Sequence, residues 1–530
     1  MNRDAVAALP PSVDVLVVGG GITGAGIALE AARRGVSVLL VEARDFAWGT
    51  SSRSSKLVHG GLRYLAAGRI GLTRESVRER RQLMHDAPGL VEQQRFLMGH
   101  YTGRAPSSGA LAAALAIYDF FNGARTRRFH SAGEVTRLAP HVGQTDLLGG
   151  SSYLEAKTDD ARLVLRVLQE ARRHGARLLN YTAAEELLRD GGGVRGARLR
   201  LLADTPPGGT AVHEVQARCV INATGVWADA LRGQLGRAPK LRPLRGSHLL
   251  LPLWRLPLGQ CIALLHPRDR RPVFAYPWEG AALVGTTDLD EPRPLDEEPC
   301  IGRGEVAYLM EALQCAFPSL QLGAADVLST YAGVRPVVAG GATDPSKEAR
   351  DSVILREQSL ITVTGGKLTT FRASALDALR HVARAVPELT APRNLPGHSA
   401  IFDPVPPSAS LARLNAPLQL RLTGRYGRHA EEVIACGQDD GLECVPGTAT
   451  LWAELLHAAR SEQVRHLDDL LLRRTRLGLL LREGARAILP RVQALCAGEL
   501  GWDQARWQAE HDRYLAIVAR SYALPPETAS

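Results

Sequence analysis

From Val13 to Val18 the chain runs VDVLVV, a short Val-rich apolar stretch that opens directly onto glycines. Apolar residues then recur at helical spacing through Ala28, Ala31 and Ala32 to Gly35, and a second apolar stretch, VSVLLVE, ends on Glu42. Strand, tight turn, helix, strand is the pattern of a βαβ unit with a parallel sheet. Two more Gly-terminated apolar stretches lie far downstream: RCVINATG at 218–225, and SLITVTGG at 359–366, which runs into a helical pattern from about Leu368. If all three belong to one nucleotide-binding unit, the stretches between them are insertions.

Between His248 and Thr330 the apolar stretches are short and broken by turns (HLLLPLW, PVFAYPW, AALVGTTD), a pattern that predicts an antiparallel sheet. After a Pro-rich break at 395–407 the rest reads as helical, most clearly in LDDLLLRRTRLGLLLREGARAILPRVQALC. The expected class is α/β. A Rossmann-like dinucleotide unit is drawn from 1–75, 150–240 and 330–390, an antiparallel-sheet substrate unit from 76–149 and 241–329, and an α-helical C-terminal unit from 395–530. A length of 530 residues fits two or three units, since single cores rarely exceed about 250–300 residues.

Composition narrows the class. With 45% hydrophobic and 22% charged residues, the chain is that of an ordinary globular enzyme. A formal charge of +9 favours anionic partners, yet no zinc finger, RNP motif or basic helix points to nucleic acid. Seven cysteines form no Cys-x-x-Cys pair, which argues against an iron–sulfur site and for reduced thiols; no metal site is expected. The first residues carry no signal-peptide apolar core. The longest apolar stretch, 109–121, is too short for a bilayer span of about 20 residues; it is either a buried helix or part of a membrane-surface patch. All but five basic residues are Arg, and two of the five lysines, Lys56 and Lys367, fall inside the motifs below.

Gly19-x-Gly21-x-x-Gly24 joins the first strand to its helix. Such glycines permit the turn, the approach of backbone to a pyrophosphate, and close helix–strand packing. The helix N-terminus then offers N–H groups and partial positive charge to phosphates. Glu42 ends the next strand, where a carboxylate accepts hydrogen bonds from an adenosine ribose. The following loop, EARDFAWGTSSRSSKLVHGGLRYL (42–65), is rich in small hydroxyl residues and glycine without apolar periodicity. It can wrap a cofactor larger than NAD. The late TGGK turn adds a second helix N-terminus, which in a flavoenzyme stabilises the anion formed on reduction.

GGGITGAGIA (19–28), TSSRSSKLVHGGLRYL (50–65), DDARLV (159–164), NATGVWAD (222–229), GSHLLLP (246–252), YPWEG (276–280), GTTD (285–288), YAGVRP (331–336), TGGKLTTFR (364–372) and RRTRLGLLL (473–481) together resemble the FAD-dependent glycerol-3-phosphate dehydrogenase family, of the membrane-associated respiratory type. The resemblance implies a glutathione-reductase-type FAD domain, a substrate domain and a helical cap, with electrons passed to a membrane quinone. It implies a protein on the inner face of the cytoplasmic membrane, held peripherally to an anionic surface. There is no Cys-rich iron–sulfur tail and no EF-hand tail, which points to the aerobic bacterial type. Arg53 departs from the pattern, standing where a small residue is expected. Oligomeric state is not written in the sequence; a homodimer is carried forward as an expectation.

For FAD the expected contacts are Gly19, Gly20, Gly21, Thr23, Gly24, Glu42, Ala43, Thr50, Ser51, Ser52, Lys56, Leu57, His59, Gly60, Gly61, Thr224, Gly225, Gly366, Lys367, Leu368 and Thr369. For the substrate, a phosphate dianion with a secondary alcohol, the expected pocket is Arg63, Tyr64, Arg335, Arg350 and Lys367, with Thr286 and Thr287 on the hydroxyls. Arg forks match phosphate oxygens, and Arg335 or Lys367 could instead stabilise a developing alkoxide. His248 is the expected general base, because an imidazole titrates near neutrality. His59 is its rival, otherwise packing near the flavin ring. Three alternatives stay open: a glycerol-3-phosphate oxidase using oxygen, an FAD amine or amino-acid oxidase of the same fold, and a non-catalytic flavin-binding scaffold.

Overall fold

The computed structural model describes residues 9–66, 68–104, 106–202, 212–341, 352–385, 400–437 and 442–526. The fold is α/β, with a Rossmann-like sheet, a second, mainly antiparallel sheet, and a helical C-terminal region. In the first sheet Ser12–Val18 lies at the centre, parallel to Val38–Val41 on one side and to Val212–Asn222 on the other. Leu360–Thr364 extends the parallel order beyond Val212–Asn222, and Arg177–Leu179 extends it beyond Val38–Val41. The near-continuous apolar character of these strands follows from cover on both faces. The helices Ile22–Ala32, Asp160–Arg173 and Phe371–Ala385 pack together on one side, in the core that also holds Val15, Val17, Leu40 and Ile221.

The second sheet has ten strands. Leu241–Pro252 lies between Ala281–Gly285 and Ser329–Val338, antiparallel to both. One pair departs from the expected antiparallel order: Cys261–Leu265 runs parallel to Val91–Tyr101. Three segments drawn with the dinucleotide unit pair here instead: Leu57–Val58, most of Leu147–Thr158, and Ser329–Val338. Each is an excursion of the first unit's chain into the second sheet, so the cofactor loop and the substrate sheet share strands. The apolar stretch 109–121 forms the helix Ser108–Asn122, capped by Ser107 and ended by Gly123 in a left-handed conformation.

The C-terminal region is helical, but its clearest periodic stretch is not one helix. It breaks into Asp469–Arg474, Leu477–Leu480 and Leu489–Leu500, with Arg476, Glu483 and Ala485 in left-handed conformations. Left-handed backbone is costly away from glycine. The reason for the break lies in what the arginines touch.

Candidate active site

The first turn forms a cradle. A Cβ on Gly24 would stand 1.9 Å from the Gly19 carbonyl oxygen, and one on Gly19 would stand 2.4 Å from the Ala223 carbonyl oxygen. The N-cap residue, Gly21, makes no side-chain cap of its own. Ser51 Oγ accepts the Ile22 N–H at 2.9 Å, which brings the hydroxyl-rich loop onto this helix end. Glu42 accepts the N–H groups of Gly20 (2.7 Å) and Arg44 (2.9 Å), so its carboxylate is fixed at the rim. Burial pushes its carboxyl above the usual value, against these donors. Thr23 and Ser51 are partly exposed here and Ala43 is exposed, while Thr224 and Gly225 lie where the central strand's neighbour ends. The donor set and the space left by the glycines fit a dinucleotide. Gly19, Gly20, Gly21, Thr23, Gly24, Glu42 and Ser51 are the residues that could hold it.

A second convergence lies at the end of the same loop. Lys367 Nζ sits 3.5 Å over the ring of Tyr64, and Tyr64 stacks at 6.5 Å on His59. Thr369 Oγ1 donates to the His59 carbonyl at 3.3 Å. The GGLRYL segment and the TGGK turn thus meet across 300 residues of chain, with Gly60, Gly61, Gly366 and Leu368 around them. His59, Tyr64 and Lys367 are each partly exposed, with the Lys367 Nζ itself buried. The Arg63 side chain and all of Arg350 lie outside the described residues.

A third group lies on the second sheet. Arg335 donates to Asp288 Oδ1 (3.0 Å) and to Thr286 Oγ1 (3.2 Å), in space that a Cβ on Gly246 would close, since it would stand 2.4 Å from the guanidinium. Thr287 does not join this group. It is buried, donating to Glu305 Oε1 (2.6 Å) and accepting the Ser247 N–H (2.9 Å), so its hydroxyl serves the sheet.

Burial bears on two of the expected residues. His248 is 1% exposed: Ser55 Oγ takes its Nε2 (2.9 Å), Tyr331 stacks on its ring at 4.5 Å, and its Nδ1 is closed off from solvent with no hydrogen-bond partner. Burial, with Arg335 and Lys56 near, pushes its pKa well below the usual value and keeps it neutral. The ring is enclosed in this structure, whereas His59 is partly exposed. Lys56 is likewise buried, with protein partners for its polar groups. Its Nζ is spent on Asp160 Oδ1 (2.9 Å) and the Ser52 carbonyl (3.0 Å), its N–H on Ser54 Oγ, and its carbonyl on the Thr158 N–H. Ser52 and Leu57 are buried beside it, and the Thr50 hydroxyl is turned to the Val334 carbonyl.

Sequence reasoning missed Ser55, Tyr331, Asp159, Asp160 and Arg476, although DDARLV, YAGVRP and RRTRLGLLL were all visible as motifs. The signal was the clustering of charge inside otherwise apolar surroundings: Asp159–Asp160 heading one helix, and three arginines in four residues within a leucine run.

The family model "FAD dependent oxidoreductase" matches residues 14–376, and "C-terminal domain of alpha-glycerophosphate oxidase" matches 400–507. An aerobic glycerol-3-phosphate dehydrogenase of Staphylococcus saprophyticus is 34% identical over 490 residues, covering 87% of this chain and 86% of that one. Glycerol-3-phosphate dehydrogenase 2 of Mycobacterium tuberculosis is 36% identical over 525 residues, covering 95% and 88%. The crystal structure of a glycerol-3-phosphate dehydrogenase from Bacillus halodurans, complexed with FAD, superposes with a TM-score of 0.76 at 28% identity, covering 100% of this chain and 98% of that one.

Proposed function

The chain belongs to the FAD-dependent glycerol-3-phosphate dehydrogenase family, and from that premise we propose that it oxidises sn-glycerol 3-phosphate to dihydroxyacetone phosphate. FAD, when bound, supplies the two-electron acceptor for the hydride leaving the substrate's secondary carbon. One observation carries the assignment of the site: Lys367 and Tyr64, from motifs 300 residues apart, meet beside the partly exposed His59. Ser55 contacts His248 on the strand next to that of Arg335, and only three residues separate Ser55 from His59. Ser55 and His59 are therefore joined by a stretch of chain no longer than about 14 Å.

In this mechanism Lys367, Arg335 and Arg63 receive the phosphate, Thr286 and Tyr64 orient the glycerol hydroxyls, and His59 takes the hydroxyl proton. His248 orients Ser55 and does not itself touch the substrate. A cation near the reacting oxygen stabilises negative charge as the proton leaves. Arg350 would add to the phosphate contacts by resemblance. The test is anaerobic titration: glycerol 3-phosphate should bleach the flavin absorbance. His59→Ala should slow that bleaching about 10²–10⁴-fold, and His248→Ala by less than tenfold. No bleaching by wild type would leave a flavin scaffold, and the reverse order of the two variants would restore His248 as the base.

Electrons are inferred to pass to a membrane quinone, with the protein attached peripherally at the cytoplasmic face. Among the described residues no helix is long and apolar enough to cross a membrane. Support for attachment comes from exposed apolar side chains in one region: Ile117 and Phe120 on the helix Ser108–Asn122, and Phe129 and Leu148 on neighbouring strands, with exposed Arg128 beside them. Partition with anionic vesicles, and oxygen uptake with and without a quinone analogue, test attachment and acceptor; rapid quinone-independent oxygen uptake would favour an oxidase. The discontinuous domain division and a homodimer remain part of the proposal, the latter tested by light scattering.

A further inference from the structure

The loop from Glu42 to Leu57 contains one short helical turn, Thr50–Ser52, and is otherwise irregular. Ordering such a segment costs conformational entropy at each residue. Its partners come from the opposite end of the chain. At its start, Asp45 is fully buried and receives Nε of Arg473 and a two-pronged contact from Arg474 (NH1 at 2.5 Å, NH2 at 2.7 Å). Farther along, Arg476 donates through Nε to Asp159 (2.9 Å), through NH1 to the Leu472 carbonyl (2.7 Å), and through NH2 to both Asp160 and the Ser52 carbonyl (3.1 Å to the latter). Asp160 passes the contact on: its other oxygen accepts Ser54 N–H (2.9 Å) and Ser54 Oγ (2.7 Å), while Lys56 holds the first.

Arg53, the departure from the family pattern, completes the set. It is buried, ion-paired to Glu298, and donates through Nε and NH2 to Tyr522 Oη at 3.3 and 3.2 Å. A small residue there would leave this third tie unmade. The left-handed backbone at Arg476, which interrupts the helix, is what turns its guanidinium toward Asp159 and Asp160. Buried charges of this kind are tolerated only when paired on all sides. Arg474, Arg476, Asp45, Asp159, Asp160 and Lys56 meet that condition together, whereas Arg473 leaves its NH1 buried without a hydrogen bond.

We propose that the Arg473–Arg476 turn, with Tyr522, is a clamp on the cofactor loop, and that Arg476 is a positioning residue through which docking of the C-terminal helices sets flavin affinity. The proposal rests on the placing of the flavin against residues 19–24 and 50–61. Because coupling between two binding events is reciprocal, the flavin in turn tightens the docking of the C-terminal helices.

The experiment measures FAD dissociation from the full-length protein by the fluorescence of released flavin, and thermal midpoints with and without added FAD. Arg476→Lys keeps the charge but loses the fork. It should weaken FAD binding roughly tenfold to a hundredfold, the scale of one lost charge-assisted hydrogen bond, and shrink the rise in midpoint that FAD confers. KM for glycerol 3-phosphate at saturating FAD should stay within about twofold. Tyr522→Phe, which removes one oxygen, should act in the same direction by about threefold, and it serves if Arg476→Lys fails to fold. Equal FAD affinity in both variants, with midpoints lowered equally with and without FAD, would reduce the network to structural glue and overturn the clamp. Gly21→Ala separates the two ideas. If it alone weakens FAD binding, the placement stands and the clamp falls; if it has no effect, the placement falls and the clamp with it.

Discussion

Arg335 and Arg476 are the same side chain in opposite settings. Arg335 keeps 22% of its side chain exposed, and its partners include the Asp288 carboxylate and the Thr286 hydroxyl. Arg476 is 2% exposed, and all three of its nitrogens donate to protein: two carboxylates and two backbone carbonyls. A cation recognises a ligand only where it can exchange water for it. A cation enclosed by carboxylates recognises nothing and instead fixes its surroundings. The lesson for an Arg-rich chain is that substrate sites and structural lattices draw on the same residue, and only solvation separates them.

The comparison breaks first at the buried side. Arg476→Ala removes one partner and leaves Asp159 and Asp160 to Arg425 and Lys56. Stripping a buried pair in this way costs about 3–5 kcal/mol. Chemical denaturation should show a midpoint displaced accordingly; a loss below about 1 kcal/mol would mean the lattice is wetter than its burial indicates. At the open side, Arg335→Ala should leave the fold intact, because Asp288 keeps Arg271 at 3.3 Å as a counter-ion. Its cost should appear in kcat/KM for glycerol 3-phosphate, by about a hundredfold or more if the guanidinium binds phosphate. Unchanged kinetics would return Arg335 to the structural class.

How far the sequence reveals this division depends on range. The Gly19–Gly24 turn and the flanking strands are legible because their determinants are local: an apolar run, three glycines, an acid at the next strand end. The GGLRYL and TGGK motifs are legible as chemistry, and their meeting follows from both sitting beside strands of one nucleotide fold. Arg476 is not legible. Its carboxylate partners are more than 300 residues away, and its surroundings read as a leucine-rich helix until the left-handed backbone reveals a turn. Thr286 and Thr287 show the same limit at the finest scale: adjacent hydroxyls in one GTTD motif face different neighbours, because both lie in the link between Ala281–Gly285 and Leu289–Asp290, where no strand alternation assigns their directions.

Those two threonines give the next smaller effect. Thr287→Val leaves Glu305 and the Ser247 N–H each short of a partner, and should cost about 1–3 kcal/mol of stability with KM within about twofold. Thr286→Val should do the opposite, raising KM a fewfold with little change in stability. If both act on KM, the buried hydroxyl is reaching the substrate after all.

The last effect lies in pH. Burial, reinforced by Arg476, lowers the Lys56 ammonium from about 10.5 to about 8, against the pull of Asp160 and Asp159. Around the ammonium stand Asp160, the Ser52 carbonyl, and the rings of Tyr331 and Trp278 at 4.6 and 5.0 Å. Between about pH 8 and 10.5 the unfolded chain holds a proton that the folded chain has released, so this group makes stability rise with pH across that window. Below about pH 8 both states carry the charge, and the penalty for burying it is constant. Lys56→Met removes the titration while Arg476 continues to neutralise Asp160. The difference in thermal midpoint between wild type and variant should therefore be flat below about pH 8 and should shift in favour of wild type above it. A difference that stays flat to pH 10 would mean that Asp160 holds the ammonium charged throughout, and that the lattice around Arg476 contains one more permanent ion pair than this argument allows.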